Sequence, residues 1–179
     1  MIYFTADLHL GHAKIIEYCD RPFSNIDEMD KFLIDSWNMV VSKEDTCYLL
    51  GDFTLKGIHN AVDYLYQLEG EIKIIPGSHD YGWLRAKNIQ HMLPRSVEIL
   101  PALYQIKLDR VWFTLCHYPM RAWHNSYRGG IHLYGHSHGR LSPLAGSLDV
   151  GVDVWNFKPI SKNFVLEHVA PFMDKKDGG

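Results

Sequence analysis

The chain has 179 residues, 46% hydrophobic and 22% charged, proportions of an ordinary globular protein that exclude disordered, collagen-like and coiled-coil readings. A net charge of −3 gives no overall electrostatic pull towards long nucleic acid. No apolar run approaches the roughly 18–20 residues of a membrane-spanning helix, and the N-terminus lacks the cationic and apolar regions of a secretory signal, so the expected location is cytoplasmic, without a membrane partner. The length suits one domain over 1–179, with a polar, glycine-ended tail expected to fray from about residue 172. Cys19, Cys47 and Cys116 are widely spaced within apolar segments and read as reduced core thiols.

In chain order, Ile2–Thr5 reads as the opening strand, and a helix is expected over 12–19 until Arg21-Pro22 breaks it. Ser24 and Asn25, with Asp27 and Glu28 three residues on, make overlapping capping boxes before Ile26, Met29, Leu33, Trp37 and Val40 at helical spacing. Residues 46–50 form a buried-type strand ending at Gly51, and Val62, Leu65 and Leu68 mark a helix closed by Gly70. A strand over 72–75 stops at Pro76-Gly77, and a helix is expected over 83–92. The pattern then turns to strands over 97–100, 103–108, 111–116, 131–134, 148–154 and 164–169, with Asp109-Arg110 as a hairpin turn. A βαβαβ first half and a strand-rich second half imply an α/β fold, a four-layer α-β-β-α sandwich of two facing mixed sheets with outer helices.

Five of these strands end on polar residues able to hold a ligand: Ala6-Asp7-Leu8-His9, Gly51-Asp52, Gly77-Ser78-His79-Asp80, His117, and Gly135-His136-Ser137-His138. In open α/β sheets that carboxyl edge is where ligands bind, so one site is expected to collect them all. Asp7 and His9 stand two apart, as do His136 and His138, and in extended backbone each pair projects to one side. Glycines before Asp52, Ser78 and His136 permit sharp turns there. A mixture of Asp and His without cysteine suits divalent ions of intermediate hardness, such as manganese, iron, zinc or nickel, better than calcium or a structural thiolate zinc.

Each residue also has a plainer role. Asp80 is placed to cap the helix after Tyr81. His117 alone would read as a satisfied core histidine, and His12 either contacts a substrate phosphate or sits in the first turn of a helix. From Arg110 to Leu148 there is no Asp or Glu, while four arginines and five histidines lie there. Within it Arg121 and His124 are candidate contacts to a substrate phosphate and base, the alternative being a solvated loop.

The ordered series from Asp7 to His138 resembles that of the calcineurin-like metallophosphoesterases, and Leu10-Gly11-His12 with Gly151-Val152-Asp153-Val154-Trp155 resembles their small single-domain bacterial and phage members. The resemblance implies two divalent metal ions, manganese foremost, with Asp7, His9, Asp52 and His138 on one and Asp52, His117, His136 and Ser78 on the other, Asp52 bridging. It implies metal-activated hydroxide attack on a phosphate ester, with His79 as general acid and Asp80 orienting its ring. Such a centre would carry roughly +1 net charge and attract phosphate despite the acidic chain. The expected enzyme is thus a metal-dependent phosphoric ester hydrolase, a phosphodiesterase on nucleotides or other small phosphodiesters.

Position 78 departs from the pattern, which has asparagine there. A serine hydroxyl is shorter than an amide oxygen and a poorer neutral ligand, so weaker hold on the second ion and lowered activity are expected. Two other readings stay open at this point: a catalytically impaired metal-dependent nucleotide- or phosphate-binding module, and a nuclease component.

Overall fold

A computed structural model describes residues 1–173, so the tail expected to fray lies, from residue 174 on, outside the described residues. In chain order the elements are β1 (Ile2–Thr5), α1 (Lys14–Tyr18), α2 (Ile26–Val40), β2 (Thr46–Leu49), α3 (Ile58–Leu65), β3 (Glu71–Ile74), α4 (Tyr81–Leu84), α5 (Ile89–Met92), β4 (Val97–Ile99), β5 (Leu103–Leu108), β6 (Val111–Cys116), a 3₁₀ turn (Ser126–Arg128), β7 (Ile131–Tyr134), β8 (Ser147–Asp149), β9 (Ile160–Ser161) and α6 (Lys162–Met173). No helix among the described residues is long and apolar enough to cross a membrane.

The expected two-sheet α/β sandwich is what forms. One sheet runs β4-β3-β2-β1-β9, parallel except for the antiparallel β9; the other runs β5-β6-β7-β8, with β5 antiparallel to β6 and the rest parallel. Strand alternation sorts the side chains into two cores. Tyr3, Cys47, Ile72 and Val97 lie in register and face the helices, packing against Met29, Leu33 and Trp37 of α2 and Leu65 of α3. Phe4, Tyr48, Leu50 and Ile75 point the other way and meet Phe113, Leu115, Ile131 and Leu133 of the second sheet. Fully burying each such side chain is worth about 1.5–3 kcal/mol, so the face-to-face packing holds the carboxyl edges of both sheets together.

The capping box at α2 is shared between two residues. Asn25 accepts the Glu28 N–H at 2.9 Å, while the Glu28 carboxylate accepts the Ser24 N–H at 2.8 Å. The Asp109-Arg110 hairpin turn forms as expected, both residues left-handed at φ 44° and 71°.

Four expected elements differ. The strand expected over 164–169 is part of helix α6: Val165 and Val169, four apart, are the buried pair, a helical spacing that the aromatic and β-branched content of the segment masks. The strand expected over 148–154 stops at Asp149, because the chain leaves β7 there and crosses to the other sheet, where Gly151 pairs with Ala6. The helix expected over 83–92 divides into α4 and α5, with Asn88 left-handed at φ 59° between them. The first helix is shorter than expected, Lys14–Tyr18, and leaves His12 ahead of it.

Candidate metal centre

All five ligand-bearing segments emerge at the carboxyl ends of their strands and meet over the seam between the two sheets. The parallel pairing of β1 and β2 continues into their loops, with Asp7 N–H donating to the Gly51 carbonyl at 3.0 Å and His9 N–H to the Asp52 carbonyl at 2.9 Å. The convergence differs from the extended geometry expected of it. Asp7, His9, Asp52, His136 and His138 all have left-handed backbone, with φ between 48° and 66°. This conformation costs a residue with a Cβ about 1–2 kcal/mol, and such strain gathers at functional sites.

Of the three glycines expected to make turns, only Gly51 has positive φ, 83°. Gly77 and Gly135 serve close approach instead: a Cβ at Gly77 would lie 2.4 Å from the Asp52 N, and one at Gly135 2.7 Å from Asp7 Oδ2. The missing side chains let both carboxylates sit in the seam.

The ligand atoms of Asp7, His9 and His138 lie within 4.8 Å of one another, and so do those of Asp52, His117 and His136. Asp52 stands between the groups: its Oδ2 is 3.7 Å from His9 Nε2 and 3.3 Å from His117 Nε2. Ser78 Oγ lies 3.1 Å from the same oxygen and 3.2 Å from Oδ1, which also accepts the His79 N–H at 2.8 Å. Asp7 accepts the His136 N–H on both oxygens, at 3.0 and 2.8 Å. His117 Nδ1 donates to the Leu50 carbonyl at 2.8 Å, which leaves its Nε2 lone pair facing Asp52.

The fit to a cation rests on what these groups lack. His9 Nδ1 and Nε2 and His117 Nε2 are buried with no hydrogen-bond partner, and each such group costs about 1–3 kcal/mol. Burial pushes the Asp7 carboxyl up to about 7, against the pull of His138 and His117. Burial would raise Asp52 too, but the neighbouring His117 imidazole and the His79 amide outweigh it and hold Asp52 well below the usual carboxylate range. Burial drives His9 well below its ordinary value. Buried carboxylates facing imidazole nitrogens that lack a hydrogen-bond partner are the donor set of an intermediate divalent cation.

Around this centre the expected residues divide. His79 is half exposed, its Nε2 3.8 Å from Asp52 Oδ2 and its ring 5.3 Å from that of His9. His12 reaches the same rim, 5.5 Å from the His9 ring and 6.2 Å from His79, with its Nδ1 buried and unpartnered. Asp80 stands at the N-cap position of α4, with its side chain turned elsewhere: its carboxylate takes the N–H groups of Asp52, Phe53 and Gly77 at 2.8–2.9 Å and the Trp83 indole at 3.1 Å. His124 is carried away from the centre and packs edge-on against Trp112, near the start of β6 rather than its end. Arg121 stands exposed beside a cleft of about 360 Å³ walled by Met120, Tyr134, Leu141 and Leu144, which none of the ligand residues lines.

Four contributors, Tyr118, Asp149, Asp153 and Arg21, have no role assigned from the sequence. Tyr118 packs edge-on against the His117 and His136 rings at 5.0 and 4.9 Å. Asp149 ties down the last ligand loop, accepting from Ser137 Oγ at 2.6 Å and the Gly139 N–H at 3.0 Å. Asp153 lies 2.7 Å from His138 Nδ1, and buried Arg21 bonds Asp153. Burial opposes charge on both partners, yet their mutual hydrogen bond holds Asp153 below and His138 above its ordinary value. The signals for these were the Asp-rich 149–153 segment and an arginine before Pro22, neither sufficient alone.

No family model matches the chain. It is 34% identical over 175 residues to the uncharacterized protein MJ1445 of Methanocaldococcus jannaschii, covering 93% of this chain and 89% of that one. Among solved structures, the protein of unknown function AQ665 from Aquifex aeolicus superposes with a TM-score of 0.69 at 21% identity, over 94% of this chain and 98% of its own. A structure described as a novel archaeal phosphodiesterase gives a TM-score of 0.46 at 17% identity, over 84% and 81% of the two chains.

Proposed function

The chain belongs to one family with MJ1445, and since its ordered ligand series resembles that of the calcineurin-like metallophosphoesterases, we propose that it is a metal-dependent phosphodiesterase acting on nucleotides or other small phosphodiesters. The observation that carries the reading is Asp52, buried between His9 and His117, whose Nε2 atoms face one of its oxygens at 3.7 and 3.3 Å without hydrogen-bond partners. In this reading Asp7, His9, Asp52 and His138 hold one divalent ion, and Asp52, His117, His136 and Ser78 a second. When bound, two such ions polarise a phosphoryl oxygen and supply a nucleophile at neutral pH.

The chain's own residues do the rest. The glycines at 77 and 135 keep Cβ atoms out of the seam, so the Asp52 and Asp7 carboxylates stay where they can hold the ions. His79, half exposed on the rim, donates a proton to the leaving alkoxide oxygen, and its backbone N–H to Asp52 fixes where the ring starts. His12, beside it, binds a phosphate oxygen. Asp80 acts one step back, holding the loops after β2 and β3 together through four hydrogen bonds.

The test is hydrolysis of bis-p-nitrophenyl phosphate and of the monoester by the full chain with added Mn²⁺. Faster turnover of the diester is expected. The reverse ratio overturns the diester assignment, and no turnover of either ester with both ions bound overturns the enzyme reading.

A further inference from the structure

Resting on that metal-dependent reading, we infer that Asp153 and Arg21 are a positioning pair that locks His138 in the ring tautomer able to bind a metal ion. His138 Nδ1 lies 2.7 Å from Asp153 Oδ2. Arg21 grips the same carboxylate in two places, Nε to Oδ1 at 2.8 Å and Nη2 to Oδ2 at 2.9 Å. A carboxylate paired in this two-pronged way is left only as an acceptor. The His138 ring proton therefore sits on Nδ1, which leaves Nε2 as the nitrogen with a free lone pair in a ring that groups with Asp7 and His9.

The guanidinium is itself anchored on the opposite side. Nη2 donates to the Asp7 carbonyl at 2.7 Å and Nη1 to the Leu8 carbonyl at 2.9 Å. Arg21 is 4% exposed, so these bonds are shielded from water and hold their geometry. One side chain thus joins the backbone of the first ligand loop to the residue that orients a ligand from the last, across 132 positions of sequence. Cys19 also comes within 4.8 Å of His138 and Asp153. With a guanidinium on both Asp153 oxygens, that trio supports the site and does not form another cation site.

The inference is tested on the full metal-free chain labelled with ¹⁵N-histidine, by long-range ¹H–¹⁵N spectra of His138. The expected signature of the neutral ring, reached at high pH, is a protonated Nδ1 and a lone-pair Nε2, and a neutral ring protonated on Nε2 alone overturns the inference. This reading needs no substitution and survives even if variants fail to fold. Mn²⁺ titration calorimetry of the wild type and Asp153→Asn adds the energetic arm. In Asp153→Asn an amide nitrogen can face Nδ1 and favour the wrong tautomer, so affinity at one of two sites is expected to fall about 10- to 100-fold, with the other site unchanged. Equal affinity at both sites overturns the inference while leaving the metal-dependent reading intact. A wild type that binds no Mn²⁺ overturns that reading, and the tautomer spectrum still decides the positioning role.

Discussion

The Ser78 hydroxyl lies 3.1 and 3.2 Å from the two carboxylate oxygens of Asp52, so the side chain that departs from the metallophosphoesterase pattern is turned onto the residue between the two ligand groups. A hydroxyl donating to Asp52 draws on the same electron density that a metal ion would use. Asparagine would present a carbonyl oxygen one atom further out. Ser78→Asn is therefore expected to tighten the second ion about tenfold or more and to raise the rate of bis-p-nitrophenyl phosphate hydrolysis. Unchanged metal stoichiometry and rate, measured side by side, would show that Ser78 does not limit this site.

His79 is a half-exposed imidazole on the rim of the centre, and its backbone N–H, not its ring, holds Asp52. His79→Ala should then leave metal content intact and lower kcat by about 10²–10⁴-fold on a diester with an alkyl leaving group. The loss should shrink on a p-nitrophenyl ester, whose leaving group needs no proton. An equal loss on both substrates would argue against proton donation by this ring.

Asp80 makes a contrasting prediction. Its buried carboxylate satisfies three backbone N–H groups and the Trp83 indole, so Asp80→Ala strands four donors. A loss of about 3 kcal/mol or more in urea unfolding is expected, since each stranded donor costs about 1–3 kcal/mol. Lost activity with unchanged stability would instead restore the ring-orienting role.

Asp7 sets a pH dependence. Its carboxyl is raised by burial to about 7, so in the metal-free chain the protonated form is the one the fold favours. Its contribution to stability is full below about pH 4 and is lost as pH rises through about 7. A metal ion needs the ionised form, so the proton competes with it. Mn²⁺ affinity should climb about tenfold per pH unit below pH 7 and level off above it. Asp7→Asn, which mimics the protonated acid, should remove this component from the unfolding curves, and a flat affinity between pH 5 and 7 would contradict it.

Much of this was legible in the sequence because it depends on short spacings. An apolar strand followed closely by polar ligand residues places them at a sheet edge whatever the rest of the chain does, and five such edges in order name Asp7, His9, Asp52, Ser78, His79, His117, His136 and His138 as one constellation. The two-sheet sandwich followed from the order of helices and strands. Helix α6 reads as a strand in the sequence because, among the residues whose burial is described, its helical period rests on the fully buried pair Val165 and Val169. His124 packs on Trp112 near the start of β6, a contact made through a loop and without a spacing to read.

What the sequence determined by itself was the set of ligand types and the strand ends that carry them, since both are local properties of the chain. What only the tertiary structure decided was how those ends are turned and held: the left-handed backbone at five ligands, the Asp80 carboxylate between two loops, and Arg21 reaching Asp153 across 132 positions. Those contacts join segments brought together by packing of the two sheets, and a pairing made through space leaves no spacing to read.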